Sequence, residues 1–356
     1  MGPETWTAIG GLAVGAGGIG AAIRAHRTLR GDRREASRRR RSQRRNTEPT
    51  VGIVVNPTKV DMATFRPLAE AAAREYGYEP PTWWLTAPDS PGTDQAASAV
   101  DSGASLVVAA GGDGTVRAVA GALVGTRIPL GIVPTGTGNL LARNLALPLF
   151  GLSPMLRVAF DGRDRAVDVG RISAAGPGGP VVEDEVFLVI TGLGFDAAMV
   201  SDTKAHLKRR VGWPAYFMSG VQNLKGPRIK AAIDIDGAVR SVRARSIMIG
   251  NCGRLPAGVR LLPNARIDDG LLDIAMVDAR AGIVGWASLA AQIGLQGIGV
   301  RNLPRFAIGR LLHEQARRVR VVADGDPLLQ IDGEAIGQVT ELSARVIPKG
   351  LLIKVR

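Results

Sequence analysis

The stretch "VVAAGGDGTVRAVAG", residues 107–121, sets Gly111, Gly112, Asp113, Gly114 and Thr115 between an apolar run and a helix-like run. Glycine loses more backbone entropy on folding than any other residue, so this clustering needs a reason. Working outward, the flanks alternate between strand and helix patterns. "VGIVVNP" (51–57) reads as a short β-branched strand ended by Asn-Pro, "RPLAEAAAREYG" (66–77) as a helix stopped by Gly77, and "PTWWLTAP" (81–88) as a second strand. "DQAASAVDSG" (94–103) follows as helix, "SLVVAA" (105–110) as strand, "VRAVAGALVG" (116–125) as helix and "IPLGIVP" (128–134) as strand. Such alternation predicts a three-layer α/β domain whose parallel sheet is covered by helices, with ligands at the carboxyl ends of its strands.

The chain has 356 residues, 46% of them hydrophobic, enough for about two domains with real cores. Its one cysteine, Cys252, cannot form an internal disulfide, and no Cys/His spacing suits zinc. No GxSxG or HExxH motif occurs, so hydrolase chemistry lacks support. The net charge of +13 is concentrated near the start: residues 24–45 hold eleven arginines against Asp32 and Glu35. Just before them, residues 5–23 carry no charge.

As a helix, that uncharged run would reach about 28 Å, close to the thickness of a bilayer core. Charge after the apolar run is the reverse of a secretory signal and places the body of the protein on the cytoplasmic side of the cell membrane. The expected order is a membrane helix at 1–23, a basic linker at 24–49, the α/β nucleotide domain at 50–150, a β-rich, antiparallel sandwich-like domain at 151–320, and a C-terminal segment at 321–356 that returns toward the first domain. An anionic membrane surface is the expected partner of the arginines. A solvated tail is the bland alternative. A nucleic-acid partner is not expected, because no aromatic residues interleave with the arginines to stack bases. Gly15, Gly17 and Gly20 satisfy GxGxxG, but the acidic residue such a dinucleotide site needs about twenty positions later falls in the arginine run.

Three motifs fall at predicted strand ends: "NPTKV" (56–60), "GGDGT" (111–115) and "PTGTGN" (134–139). Glycines there let backbone approach an anion, and the following helix turns unpaired N–H groups and its positive dipole end toward it. Thr115 and Thr137 can add hydroxyl donors, and Asp113 can serve Mg2+ directly or through water. A polyphosphate cradle results, without the GxxxxGK[ST] of a P-loop.

GGDGT followed by PTGTGN resembles the diacylglycerol kinase catalytic-domain family, which includes sphingosine kinase relatives and shares its fold with the NAD kinases. "DVGRI" (168–172), "GLGFDA" (192–197), "GN" (250–251), "ARIDDGLLD" (265–273) and "PLLQIDGE" (327–334) resemble that family's later landmarks in order, so the resemblance runs from about residue 50 to the C-terminus. It implies an ATP-dependent lipid kinase acting on a lipid hydroxyl, with diacylglycerol the leading acceptor. ATP would be contacted by Asn56, Pro57, Thr58, Lys59, Val60, Thr86, Gly111, Gly112, Asp113, Gly114, Thr115, Val116, Arg117, Ala118, Gly136, Thr137 and Asn139. A structural Mg2+ would be held by Asp269 with the backbone of Arg266 and Leu271, and Glu334 would be the general base, with Asp113 its catalytic companion.

The residues themselves agree in part. Asp332-Gly333 between apolar residues suits a tight hairpin turn that fixes Glu334, and a lipid hydroxyl needs a carboxylate to accept its proton. After GGDGT the relatives continue with Asn-Glu-like residues, where this chain has Val116, Arg117 and Ala118. "NPTKV" likewise stands where the family has a more glycine- or serine-rich loop. The uncharged run at 281–300 reads as an apolar helix, beside the acceptor cleft or in a core. A soluble NAD kinase-like enzyme and a non-catalytic nucleotide- or lipid-binding membrane protein remain alternatives.

Overall fold

The computed structural model describes residues 49–194, 228–254, 262, 264–279 and 309–356. The expected membrane segment (5–23), the basic run (24–45), the apolar run (281–300) and the end of GLGFDA lie outside them. Among the described residues no helix is long and apolar enough to cross a membrane.

The first elements are β1 (Val51–Val55), α1 (Met62–Glu75), β2 (Thr82–Leu85), α2 (Thr93–Asp101), β3 (Leu106–Gly111), α3 (Asp113–Leu123) and β4 (Leu130–Pro134), followed by α4 (Leu140–Asn144) and α5 (Leu152–Asp161). β1 pairs in parallel with β2 and β3, and β3 with β4. Successive strand residues point to opposite faces. Thus Ile53, Val55, Val108 and Val133 meet Phe65 of α1 and Phe160 of α5, whereas Val54, Val107, Ala109 and Ile132 meet Ala96 and Ala99 of α2 and Val119 and Leu123 of α3. Helices therefore cover both faces of a parallel sheet.

Two boundaries differ from the sequence pattern. Helix α1 begins at Met62 rather than near Arg66 and carries Pro67 inside. Asp61 is the cause: its Oδ1 accepts the Ala63 N–H at 3.2 Å and its Oδ2 the Thr64 hydroxyl at 2.6 Å. The region expected to be β-rich from residue 151 opens with α5, whose Met155, Leu156 and Phe160 pack beneath the α/β sheet.

The remaining elements are β5 (Arg163–Gly176), β6 (Gly179–Phe187), β7 (Ile190–Leu193), β8 (Ile229–Ile235), β9 (Ala238–Ala244), β10 (Ser246–Gly250), β11 (Leu272–Ala279), β12 (Gly309–Ala316), β13 (Arg318–Asp324), β14 (Leu328–Ile331), β15 (Glu334–Gln338) and β16 (Glu341–Val355). Strand β16 pairs in parallel with β4 at Ile353 and antiparallel with β5 and β13. One sheet therefore runs β2-β1-β3-β4-β16-β13-β8-β9, with β5 and β6 branching from β16; a second runs β12-β11-β10-β7-β14-β15. Ile172, Phe187, Ile233, Val321 and Leu342 of the first pack with Leu193, Ile247, Ile274 and Ile331 of the second, which makes the C-terminal half an antiparallel sandwich. Through β16, the sandwich and the α/β layers share one sheet.

Candidate active site

The glycine-rich stretch sits where β3 ends and α3 begins without an intervening loop. Gly112 occupies the N-cap of α3 with no side-chain cap, so the N–H groups of its first turn face the strand ends. The neighbouring loop after β4 is folded by Asn139, a buried residue in the left-handed region (φ 49°). Its Oδ1 accepts the Gly136 N–H at 3.0 Å and its Nδ2 donates to Gly136 O at 2.7 Å. The two loops touch at backbone level: a Cβ on Gly136 would lie 2.7 Å from Gly112 Cα. Only glycine allows that approach.

Asp113 locks the contact. Its Oδ2 accepts the Asn139 N–H at 2.8 Å and its Oδ1 the Leu140 N–H at 2.6 Å. Burial pushes its carboxyl up to about 6, opposed by those two N–H bonds. Both oxygens are thus engaged in joining GGDGT to PTGTGN, a task the sequence reading of Asp113 as a metal residue did not include.

The other sequence-predicted nucleotide contacts divide into two groups. Asn56 ends β1, where its Oδ1 accepts the Thr58 N–H at 3.0 Å and the Thr58 hydroxyl at 2.8 Å, folding the 56–58 turn. Its own N–H donates to Ala110 O, which sets that turn beside the end of β3. Pro57, Thr58 and Lys59 are exposed and Val60 is buried. Buried Thr86 ends β2, donating its N–H to Val55 O. Exposed Thr137 lies in the 134–139 loop. Asn56 and the 134–139 loop thus flank the end of β3, with Thr86 at the end of β2, beyond β1. By contrast, Val116 and Ala118 turn their side chains into the core, and the Val116 N–H is already bonded to Gly112 O. Thr115 is buried too, its side chain packed on Gly111. The side chains of these three lie on the buried face of the amphipathic helix.

Arg117 turns away from the loops toward the hairpin of β14 and β15. Its Nη1 donates to Ile331 O at 3.0 Å and its Nη2 pairs with Glu334 Oε2 at 2.5 Å. The hairpin turn is Asp332-Gly333, both at positive φ (47° and 88°), the two-residue turn that Asp-Gly favours. Asp332 is buried, and its carboxylate accepts the N–H groups of Leu188, Val189 and Ile190 at 2.9, 2.9 and 3.0 Å. Burial pushes its carboxyl up, against the pull of Arg117 and these three bonds. Glu334 consequently stands over α3: a Cβ on Gly114 would lie 3.1 Å from its Oε1. The structure brings Glu334 to the glycine-rich stretch 220 positions away in the chain.

The Asp269 turn is organised separately. Asp269 Oδ1 accepts the Leu271 N–H at 3.1 Å, and behind it buried Asp168 accepts the N–H groups of Gly270 (2.6 Å) and Lys349 (2.7 Å). Burial, then the charge of Asp168, pushes the Asp269 carboxyl up. Among the described residues no three acidic, His or Cys side chains group to hold a metal ion. A cation at this turn would draw on one carboxylate and the Arg266 and Leu271 carbonyls. That all-oxygen set, completed by water, suits a hard ion such as Mg2+.

Sequence reasoning passed over Thr135. Its Oγ1 is buried without a partner among the described residues, while its N–H donates to Gly111 O at 3.0 Å. An orphaned hydroxyl between two glycine loops fits a ligand that brings oxygen acceptors, as a phosphate does. Asp168 and Asp332 were missed as scaffolds, because the backbone groups they bind lie far away in the chain.

The family model for the diacylglycerol kinase catalytic domain matches residues 50–172, and that for the YegS C-terminal NAD kinase beta sandwich-like domain matches residues 189–355. A Pseudomonas putida protein named "Probable lipid kinase YegS-like" is 31% identical over 239 residues, 65% of this chain and 74% of that protein. The chain belongs to the family of diacylglycerol kinases and YegS-like lipid kinases. An uncharacterized Synechocystis protein is 31% identical over 262 residues, 70% of this chain; the chain spans only 55% of that relative's length. The fold is shared with a crystal structure of a diacylglycerol kinase from Bacillus anthracis str. Sterne, at TM-score 0.67 and 21% identity over 88% of this chain and 98% of the other. The two family matches meet in the site, GGDGT lying in the first and Glu334 in the second.

Proposed function

We propose that the protein is an ATP-dependent lipid kinase that phosphorylates a lipid hydroxyl, with diacylglycerol the acceptor and phosphatidic acid the product. The observation that carries the reading is the Glu334 carboxylate standing over Gly114, where a proton acceptor meets a phosphate cradle. In the transfer, the acceptor hydroxyl oxygen bonds to the γ-phosphorus of ATP. The bond from that phosphorus to the β,γ-bridging oxygen breaks, its electron pair leaves with ADP, and the hydroxyl proton passes to Glu334.

This chain's own contribution is positioning and fixed dipoles. The first-turn N–H groups of α3 and the Thr135 hydroxyl bind phosphate oxygens, exposed Lys59 and Thr137 offer further donors, and Asn139 and Asp113 hold the two loops in register. Asp269, with the backbone of Arg266 and Leu271, would hold a structural Mg2+, whose charge when bound would offset that of Asp269 and of Asp168 behind it. The eleven arginines at 24–45 support attachment of the enzyme to an anionic membrane surface on the cytoplasmic side, where a lipid acceptor is presented.

The test is thin-layer analysis of a total membrane lipid extract incubated with the pure protein and γ-labelled ATP, with NAD as acceptor in a parallel arm. Label in phosphatidic acid supports the reading. Label in another lipid keeps the kinase and replaces the acceptor, and label in NAD alone overturns it.

A further inference from the structure

We infer that Arg117 is a positioning residue that sets the Glu334 carboxylate over the first turn of α3 and so couples the base-bearing hairpin to the phosphate cradle. This rests on the reading of Glu334 as proton acceptor. Ile331 and Glu334 are the paired residues that close the Asp332-Gly333 turn. The guanidinium of Arg117 grips both, the carbonyl of the first at 3.0 Å and the carboxylate of the second at 2.5 Å. A rigid fork can span that pair; an ammonium, as a point charge, cannot do so in the same plane.

The two partners are unequally buried, and that gives the contact its direction. The Arg117 side chain is 12% exposed and fixed among α3, the hairpin and Glu185, whose Oε1 lies 4.0 Å from its Nε. Glu334 is 57% exposed and would otherwise sample several rotamers. Arg117 takes up Oε2, while Oε1 is the oxygen turned toward Gly114.

The test combines kinetics and stability on the full-length chain, using ATP with diacylglycerol in mixed micelles, for wild type, Arg117→Gln, Arg117→Lys, Glu334→Gln and the Arg117→Gln/Glu334→Gln pair. Displacing a reacting group by about 1 Å costs about 10²-fold. Arg117→Gln is therefore expected to lower kcat by about 10²-fold with KM for ATP unchanged, Arg117→Lys to recover part of the loss, and the pair to be no slower than Glu334→Gln alone. A raised KM for ATP with kcat intact would make Arg117 a phosphate contact and overturn the inference. Equal slowing by Arg117→Gln with and without the Glu334 carboxylate would also overturn it. A double-mutant cycle on unfolding stability reads the pair without activity: additive effects refute the contact. If coupling is present but the wild type transfers no phosphoryl group to lipid, the functional reading falls and the role falls with it.

Discussion

Gly136→Ala tests whether the two glycine loops form one cradle. The added methyl would lie 2.7 Å from Gly112 Cα and 3.0 Å from Asn139 Oδ1. Ordinary contact between carbons is about 3.5–4.0 Å, so the loops must part by about 1 Å. Neither neighbour can yield alone: Asn139 is held by Gly136 itself and by Asp113, and Gly112 caps α3. Overpacking of this kind costs about 1–3 kcal/mol. The same displacement moves the α3 N–H groups relative to Thr135 and predicts a drop of about 10²-fold in phosphoryl transfer. Denaturant unfolding and initial rates should be measured beside Gly178→Ala, where nothing lies within 4 Å of the new methyl. The control should stay within about 0.5 kcal/mol of wild type. If Gly136→Ala matches it in both stability and rate, the loops are not in contact and the cradle is wrong.

Two further predictions concern buried carboxylates. Asp332→Ala strips three buried N–H groups of their acceptor and should destabilise the protein by about 3 kcal/mol or more in denaturant unfolding; a loss below about 1 kcal/mol would contradict its scaffold role. The Asp113 carboxyl, pushed from 3.8 to about 6 by burial, stabilises the fold fully below about pH 4, and that contribution is lost as pH rises through 6. Relative to Asp113→Asn, wild type should lose about 3 kcal/mol between pH 3.5 and pH 7 in denaturant unfolding, and a flat or opposite trend would refute the assignment.

The α/β half was legible because its strands and helices follow local patterns: a β-branched run, a stop at Gly or Pro, a helix. The start of α1 moved because a local competitor, the Asp61 cap, begins the helix before Pro67. Asp332-Gly333 was legible for the same reason, since two residues at positive φ leave few alternatives. What could not be read was long-range. The grip of Arg117 on Glu334, the N–H groups gathered by Asp332 and the hold of Asp168 on the Asp269 turn join parts of the chain more than 100 residues apart. The burial of Val116 and Ala118 followed from the helix face that meets the sheet, which the motif's continuity in sequence concealed.

The proposed role of Glu334, held above the start of α3, is to take the proton from a lipid hydroxyl during phosphoryl transfer. Its most direct test is single-turnover transfer from γ-labelled ATP to diacylglycerol in mixed micelles by wild type and Glu334→Gln at equal, saturating ATP. Wild type should yield labelled phosphatidic acid, and Glu334→Gln a rate lower by about 10²-fold or more with ATP binding retained. Equal rates from the two proteins would contradict it.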